Sequence, residues 1–310
     1  MPRTLRPILA LRAQLKARAK ALPPAEAAPY KQRQTALKWM LVTSFGYLGY
    51  KNSRFGRIEA HEAVTAYGRD KLLCAKETFE AAGFTVLHGL TDCLWVQKPG
   101  FTAGDLEDLC REVFRVTGVR LALEGVYRWI FFMASKQDPQ RPVATRYFGV
   151  FADGSLKVRG LMCRRRDTPP FVRRAQEAML QKLAGAATPG ELAAMQPELA
   201  EMAEGFRQRL REGGINPQDL VITRVLSQPL ADYKVDTPTS LAARQLAAAG
   251  IHIQPGEKVR YVHQEGKRAP KDCRIQAAPF LSALDGYDTK LYLELLERAV
   301  AEVMLPLREY

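Results

Sequence analysis

Pro23 and Pro24 interrupt a stretch that otherwise reads as helix from about Leu5 to Gly46. Proline has no amide hydrogen to donate and clashes with the carbonyl four residues back, so a helix running from about Leu5 stops near Leu22. Its apolar positions, Ile8, Leu9, Leu11 and Leu15, lie between cations. A second helix, from about Ala27 to Gly46, rises roughly 30 Å at ~1.5 Å per residue. Two such helices around one breaker predict a helical hairpin.

Charge is concentrated in the same place. Met1 to Met40 holds nine basic residues and one acidic residue, Glu26, within a chain of 310 residues whose net charge is +13. A surplus of this size favours a polyanionic partner, nucleic acid or an acidic membrane surface. Basic amphipathic N-terminal segments also serve as targeting peptides or as plain solvated faces. No apolar run approaches the roughly 20 residues that span a bilayer, so no membrane association is expected. The five cysteines, Cys74, Cys93, Cys110, Cys163 and Cys273, are odd in number and lack metal-ligand spacing. They fit a reducing compartment, and the expected location is cytoplasmic, at the nucleoid in a bacterium or archaeon. His61, His88, His252 and His263 show no metal spacing and receive no role.

After a Gly-, Asn- and Ser-rich turn, Gly49 to Arg57, a third helix is predicted from about Ile58 to Ala82, ended by Gly83. Strand compositions at Phe84 to His88 and Leu94 to Gln97 flank a tight turn, Gly89 to Cys93. A helix at about Ala103 to Thr117 follows, then strands at Leu121 to Met133, Ala144 to Ala152 and Leu156 to Met162. Beyond Pro169-Pro170 the chain becomes helical, near Phe171 to Ala184 and Glu191 to Glu212, up to Gly213-Gly214. The remainder alternates strands (Val221 to Leu226, Lys258 to Val262) with helices (Ser240 to Ala249, Thr289 to Leu305). The fold class expected is α+β.

Three features carry chemistry. Asp92 lies at the predicted apex of a β-hairpin, where an exposed carboxylate can hold Mg²⁺ together with substrate phosphates; aspartate is equally favoured in turns for its own backbone hydrogen bonds. Lys38 stands among apolar residues of the second helix, either facing a cleft or snorkelling from a core helix. Arg12 and Lys16 are four residues apart and share a helix face. With Lys38 they make a clamp suited to a triphosphate, or an ordinary solvated face.

Together and in this order the pieces resemble family B DNA polymerases. Lys38-Trp39-Met40-Leu41-Val42-Thr43-Ser44-Phe45-Gly46 is similar to the family's fingers motif, Lys-x-x-x-Asn-Ser-x-Tyr-Gly. Gly49 to Arg57 and Ala66-Tyr67-Gly68-Arg69 also resemble it, and Gly89-Leu90-Thr91-Asp92-Cys93 matches its Asp-Thr-Asp-Ser palm hairpin. Arg146-Tyr147-Phe148-Gly149 looks like the end of the Lys-Lys-x-Tyr motif. Arg159-Gly160 with Arg165-Arg166-Asp167 looks like the start of the thumb, and Leu226 to Lys234, Ala243 to Leu246, Pro255-Gly256 and Tyr287 to Leu293 look like thumb segments.

The resemblance implies a fingers hairpin at 1–49, a partial antiparallel palm with packed helices at 50–165 and a mainly helical thumb at 166–310. It implies Asp92 as the catalytic, Mg²⁺-binding carboxylate. Arg12, Lys16, Lys38 and Phe45 would hold the incoming deoxynucleoside triphosphate, and Arg146, Tyr147, Arg165 and Arg166 would contact primer-template DNA. Backbone contacts of that kind position a duplex without reading its sequence.

Departures from the pattern fall on polar positions. Leu90 replaces the first Asp of the hairpin motif, Val42 replaces the fingers Asn, and Ala144 and Thr145 replace two lysines. No Asp-x-x-x-Leu-Tyr-Pro segment, the family's other metal-binding strand, and no exonuclease segment is found. One carboxylate facing two divalent ions would offset their repulsion poorly. Two readings follow: a polymerase subunit completed by a second chain that carries the N-terminal half, or a catalytically inactivated polymerase-like protein that binds DNA or acts as a scaffold.

Overall fold

The computed structural model describes residues 2–135, 137–265, 274–284 and 286–308; Cys273 lies outside them. The chain forms two compact units, Met1–Leu123 and Glu124–Tyr310. The boundary falls inside the stretch expected to form the palm.

The first unit opens with α1 (Pro2–Ala21) and α2 (Pro24–Leu48), packed side by side as the hairpin that the proline pair predicts. Pro23 occupies the N-cap of α2 and Pro24 its first turn, where the missing amide hydrogen costs nothing. Small buried residues, Ala19 and Ala27, let the two backbones approach near the bend, and the Arg18 guanidinium lies over the Tyr30 ring at 5.1 Å. At the far end of α2, Gly49 abuts His61 of α3 (Ile58–Ala81), where a β-carbon would stand 3.2 Å from the imidazole.

Strands β1 (Thr85–Leu90) and β2 (Cys93–Gln97) pair antiparallel, and α4 (Ala103–Thr117) follows. Thr102 and Asp105 form a reciprocal capping box at the start of α4, and Gly118 closes it in the left-handed conformation at φ 71°. Phe79 and Ala75 from α3, Leu106 and Val113 from α4 and Phe84 ahead of β1 make a small core. Val86, Leu94 and Val96 pack against it from the hairpin.

In the second unit, β3 (Tyr127–Ala134), β4 (Pro142–Phe151) and β5 (Leu156–Arg159) form an antiparallel meander. Helices α5 (Pro170–Leu183), α6 (Pro189–Ala194) and α7 (Gln196–Glu212) come next, then β6 (Ile222–Val225), α8 (Pro238–Ala248), β7 (Lys258–His263), β8 (Ile275–Ala277) and α9 (Thr289–Met304). Strands β6, β7 and β8 make a second antiparallel sheet in that order.

One continuous core joins Trp129, Phe148 and Val150 of the first sheet to α5, α7, α9 and the second sheet. Helix α9 supplies Tyr292, Leu296, Ala299, Val300 and Val303, a buried stripe at helical spacing. Fully buried leucines such as Leu180, Leu199 and Leu296 each contribute about 1.5–3 kcal/mol.

Local readings and structure differ at four places. The strand expected from Leu121 starts at Tyr127, because Gly125 sits against the Phe151 ring and leaves no room for a side chain: an added β-carbon would lie 2.6 Å away. The strand expected to reach Met162 ends at Arg159, where Gly160 turns the chain at φ 67° and the Thr145 carbonyl leaves no room for a β-carbon. The helix expected from Glu191 to Glu212 is two helices joined at Met195, since Pro197 cannot continue a helix already under way. Strand β8 was not expected. It is three residues long, and the Gln245 side chain on α8 bonds the Ile275 carbonyl and the Ala277 amide along its free edge.

Among the described residues no helix is long and apolar enough to cross a membrane.

Candidate functional site

Asp92 and Thr91 are the two residues of the β1–β2 turn, because Leu90 pairs with Cys93. Thr91 has φ 53°, the one positive φ at a non-glycine position among the described residues. A β-branched side chain there stores strain of about 1–3 kcal/mol. The Asp92 amide donates to the Leu90 carbonyl at 2.5 Å, and the Cys93 thiol donates to the same oxygen at 3.2 Å. The turn is thus held from below while the Asp92 side chain projects into solvent. Leu90, half-buried, ends β1.

Arg12 and Lys16 share a face of α1, and they differ in setting. Lys16 is exposed, whereas Arg12 is half-buried and its Nε is withdrawn from water with no hydrogen-bond partner. A buried, unmated guanidinium nitrogen is unfavourable, and a ligand oxygen would relieve it. Lys38 is exposed on α2, flanked by exposed Trp39, Met40 and Val42. Phe45, one turn before the end of α2, stacks on His61 with ring centroids 4.2 Å apart, and His61 Nδ1 lies 3.3 Å from the Phe45 carbonyl. The contact sets the Phe45 ring against His61, a residue that spacing did not single out.

Among the described residues no group of three or more His, Cys, Asp or Glu side chains could hold a metal ion.

The second unit carries the other expected residues. Tyr147 is 5% exposed and its ring packs on Phe132 at 5.5 Å. Arg146 turns to Glu302 of α9, 2.5 Å away, and that carboxylate also accepts from the Met162 amide at 2.8 Å and the Gln176 side chain at 2.9 Å. Arg166 is exposed. Arg165 forks onto Asp167 at 3.1 and 2.9 Å, and Arg224 of β6 reaches the same carboxylate at 2.9 Å. Burial pushes the Asp167 carboxyl up, but the Arg165 hydrogen bonds and the two guanidinium charges outweigh it and hold it below the usual carboxylate range.

Glu302 and Arg224 escaped the sequence reading. Arg146 and Glu302 are 156 residues apart, and no local pattern announces a pair at that separation.

A family model described as DNA polymerase family B matches residues 1–307. The chain belongs to DNA polymerase family B. It is 25% identical over 276 residues to DNA polymerase 1 of Saccharolobus solfataricus, covering 89% of this chain and 30% of that relative. It is 28% identical over 302 residues to the DNA polymerase of Thermococcus sp. strain 9oN-7, covering 95% and 37%. The solved structure of the family B DNA polymerase from Pyrobaculum calidifontis is similar with a TM-score of 0.60 at 26% identity, over 97% of this chain and 37% of that one. The motif-based resemblance and the α+β class are borne out. This family B chain spans about a third of the length of these relatives.

Proposed function

We propose that this chain is the fingers (1–49), partial palm (50–165) and thumb (166–310) portion of a family B DNA polymerase. In this reading it binds primer-template DNA and, completed by a second chain carrying the N-terminal half, supports template-directed nucleotidyl transfer. The observation that carries it is the pairing of a family match over residues 1–307 with a share of only 30–37% of the relatives' length.

The chain's own residues have defined tasks. Arg12 offers a buried, unmated Nε to a triphosphate oxygen, Lys16 and Lys38 add positive charge, and Phe45 presents a ring stacked on His61 to the nascent base pair. Asp92 supplies one carboxylate from a strained, two-residue turn. Mg²⁺ is the ion the family chemistry calls for, and the second chain would supply the remaining carboxylates. Arg165 and Arg166 offer guanidinium groups to the phosphate backbone. Replication is the process such an assembly would serve.

The test is primer extension by the assembly purified from its native cells, with wild-type chain or Asp92→Asn. Extension that disappears in the variant supports the proposal; equal extension by both removes Asp92 from the chemistry. A second reading, a DNA-binding scaffold without catalysis, is favoured by Leu90, Val42, Ala144 and Thr145, each standing where the family motifs carry a polar or charged residue. It predicts salt-dependent DNA affinity and no nucleotide incorporation by the same assembly.

A further inference from the structure

The second unit contains a cavity of about 560 Å³ between β6, β7, the start of α8 and one face of α9. That volume lies within the range typical of small-ligand sites, roughly 300–1,000 Å³. Its lining mixes apolar residues, among them Ile222, Leu291 and Leu295, with three arginines, Arg165, Arg224 and Arg298, a single carboxylate, Asp167, and several hydroxyl groups.

We propose that this cavity binds a free phosphorylated small molecule, with the phosphate on the arginines and the organic part on the apolar residues of the lining. Arg224 and Arg298 have no role in the family motifs or in the proposed polymerase function, and the cavity gives Arg165 a second one; the proposal stands whether or not the chain supports catalysis.

Charge and geometry select the ligand. Asp167 neutralises one of the three guanidinium groups, which leaves an excess of two positive charges. It also fixes Arg165 and Arg224 side by side, at 2.9 Å each from one oxygen. A guanidinium carries five N–H donors. Arg165 commits its Nε and Nη2 to Asp167, and Arg224 commits its Nη2. Two arginines held in this way are preorganised for the tetrahedral oxygens of a phosphate, so less side-chain entropy is lost on binding.

The start of α8 reinforces the field. Thr237 caps α8 through its side chain, and Pro238 and Thr239 bring that helix start to the cavity wall, where the helix dipole favours an anion. His263, also in the wall, is pulled below its ordinary pKa by burial, against the opposing charge of Asp288. The Ser227 and Tyr233 hydroxyls, 3.0 Å apart, add neutral donors at the rim.

A cavity of this volume with apolar residues in its lining suits a free phosphorylated small molecule rather than the backbone of a nucleic-acid strand. Inorganic pyrophosphate and a short oligonucleotide with a 5′-hydroxyl end serve as probes in calorimetric titrations of the full chain. The variants are Arg298→Ala and, as a control on the same helix, Lys290→Ala. Arg298→Ala is expected to weaken pyrophosphate binding about tenfold, the equivalent of ~1.4 kcal/mol, and Lys290→Ala by less than about twofold. Pyrophosphate binding that the oligonucleotide leaves untouched supports the proposal; an oligonucleotide that displaces pyrophosphate traces the site to the DNA-binding surface and overturns it. Equal weakening by both variants would trace the binding to diffuse surface charge and overturn the proposal, as would a folded chain that does not bind pyrophosphate.

Discussion

Replacing Glu302 with alanine removes a carboxylate that three groups share: the Arg146 guanidinium at 2.5 Å, the Met162 amide at 2.8 Å and the Gln176 side-chain amide at 2.9 Å. Glu302 is 15% exposed and Arg146 26%. Removing one partner of a fully buried ion pair costs about 3–5 kcal/mol, because the survivor keeps its desolvation penalty. Arg146 is partly solvated and regains some water, so the expected cost is about 2–4 kcal/mol. The Met162 amide and the Gln176 amide lose an acceptor in the same step. For a domain of the size of Glu124–Tyr310, each kcal/mol moves Tm by roughly 2–4 °C, so the melting transition should fall by roughly 5–15 °C.

Thermal unfolding of the full chain, followed by circular dichroism, measures the effect, and a double-mutant cycle with Arg146→Ala isolates the pair. Coupling of about 1–2 kcal/mol is expected, since the two side chains are in direct contact. Additivity within about 0.5 kcal/mol would refute the reasoning and free Arg146 for another partner. The cycle also bears on function. If Arg146 neutralises a DNA phosphate in spite of Glu302, Arg146→Ala should lower the salt slope of DNA binding by about 1; if Glu302 holds it, the slope should stay unchanged.

Three further outcomes are expected. Tyr292 is fully buried, its hydroxyl donates to the Leu220 carbonyl at 2.8 Å and accepts from the His263 amide at 3.1 Å; Tyr292→Phe orphans both and should cost about 2–4 kcal/mol in urea unfolding, and a loss under about 0.5 would contradict this. The Cys163 thiol is pushed up to about 11 by burial and by the nearby carboxylates Glu177 and Glu302, so iodoacetamide at pH 8 should spare it in the folded chain and modify it in urea, as peptide mass mapping would show; rapid native modification would refute the burial. Asp167 has a folded pKa below its unfolded value, so its stabilising contribution is present above about pH 4 and lost as pH falls through the folded value. The difference in urea midpoint between wild type and Asp167→Asn should therefore hold from pH 7 to pH 5 and shrink towards pH 3; a constant difference at pH 3 would mean that the two arginines do not set this carboxyl.

Legibility in the sequence followed the range of each signal. The α1–α2 hairpin, the β1–β2 turn and the extent of α4 were readable because proline, glycine, turn residues and helical periodicity act over a few positions. The motif order that pointed to family B was legible for a similar reason: each motif is a short run of residues. Arg12 and Lys16 could be placed on one helix face, but spacing alone did not reveal that the Arg12 Nε is buried without a mate.

What the amino-acid order determined by itself was therefore the local elements, the cationic N-terminal hairpin and the family. Tertiary packing decided the rest. It brought Glu302 to Arg146, set Arg224 beside Asp167 and filled the space of a β-carbon at Gly160 with the Thr145 carbonyl. It also drew the boundary between the units at residue 123. Each of these outcomes depends on which distant surfaces bury one another and on which charges are left to pair once water is excluded, and neither is encoded in a window of a few residues.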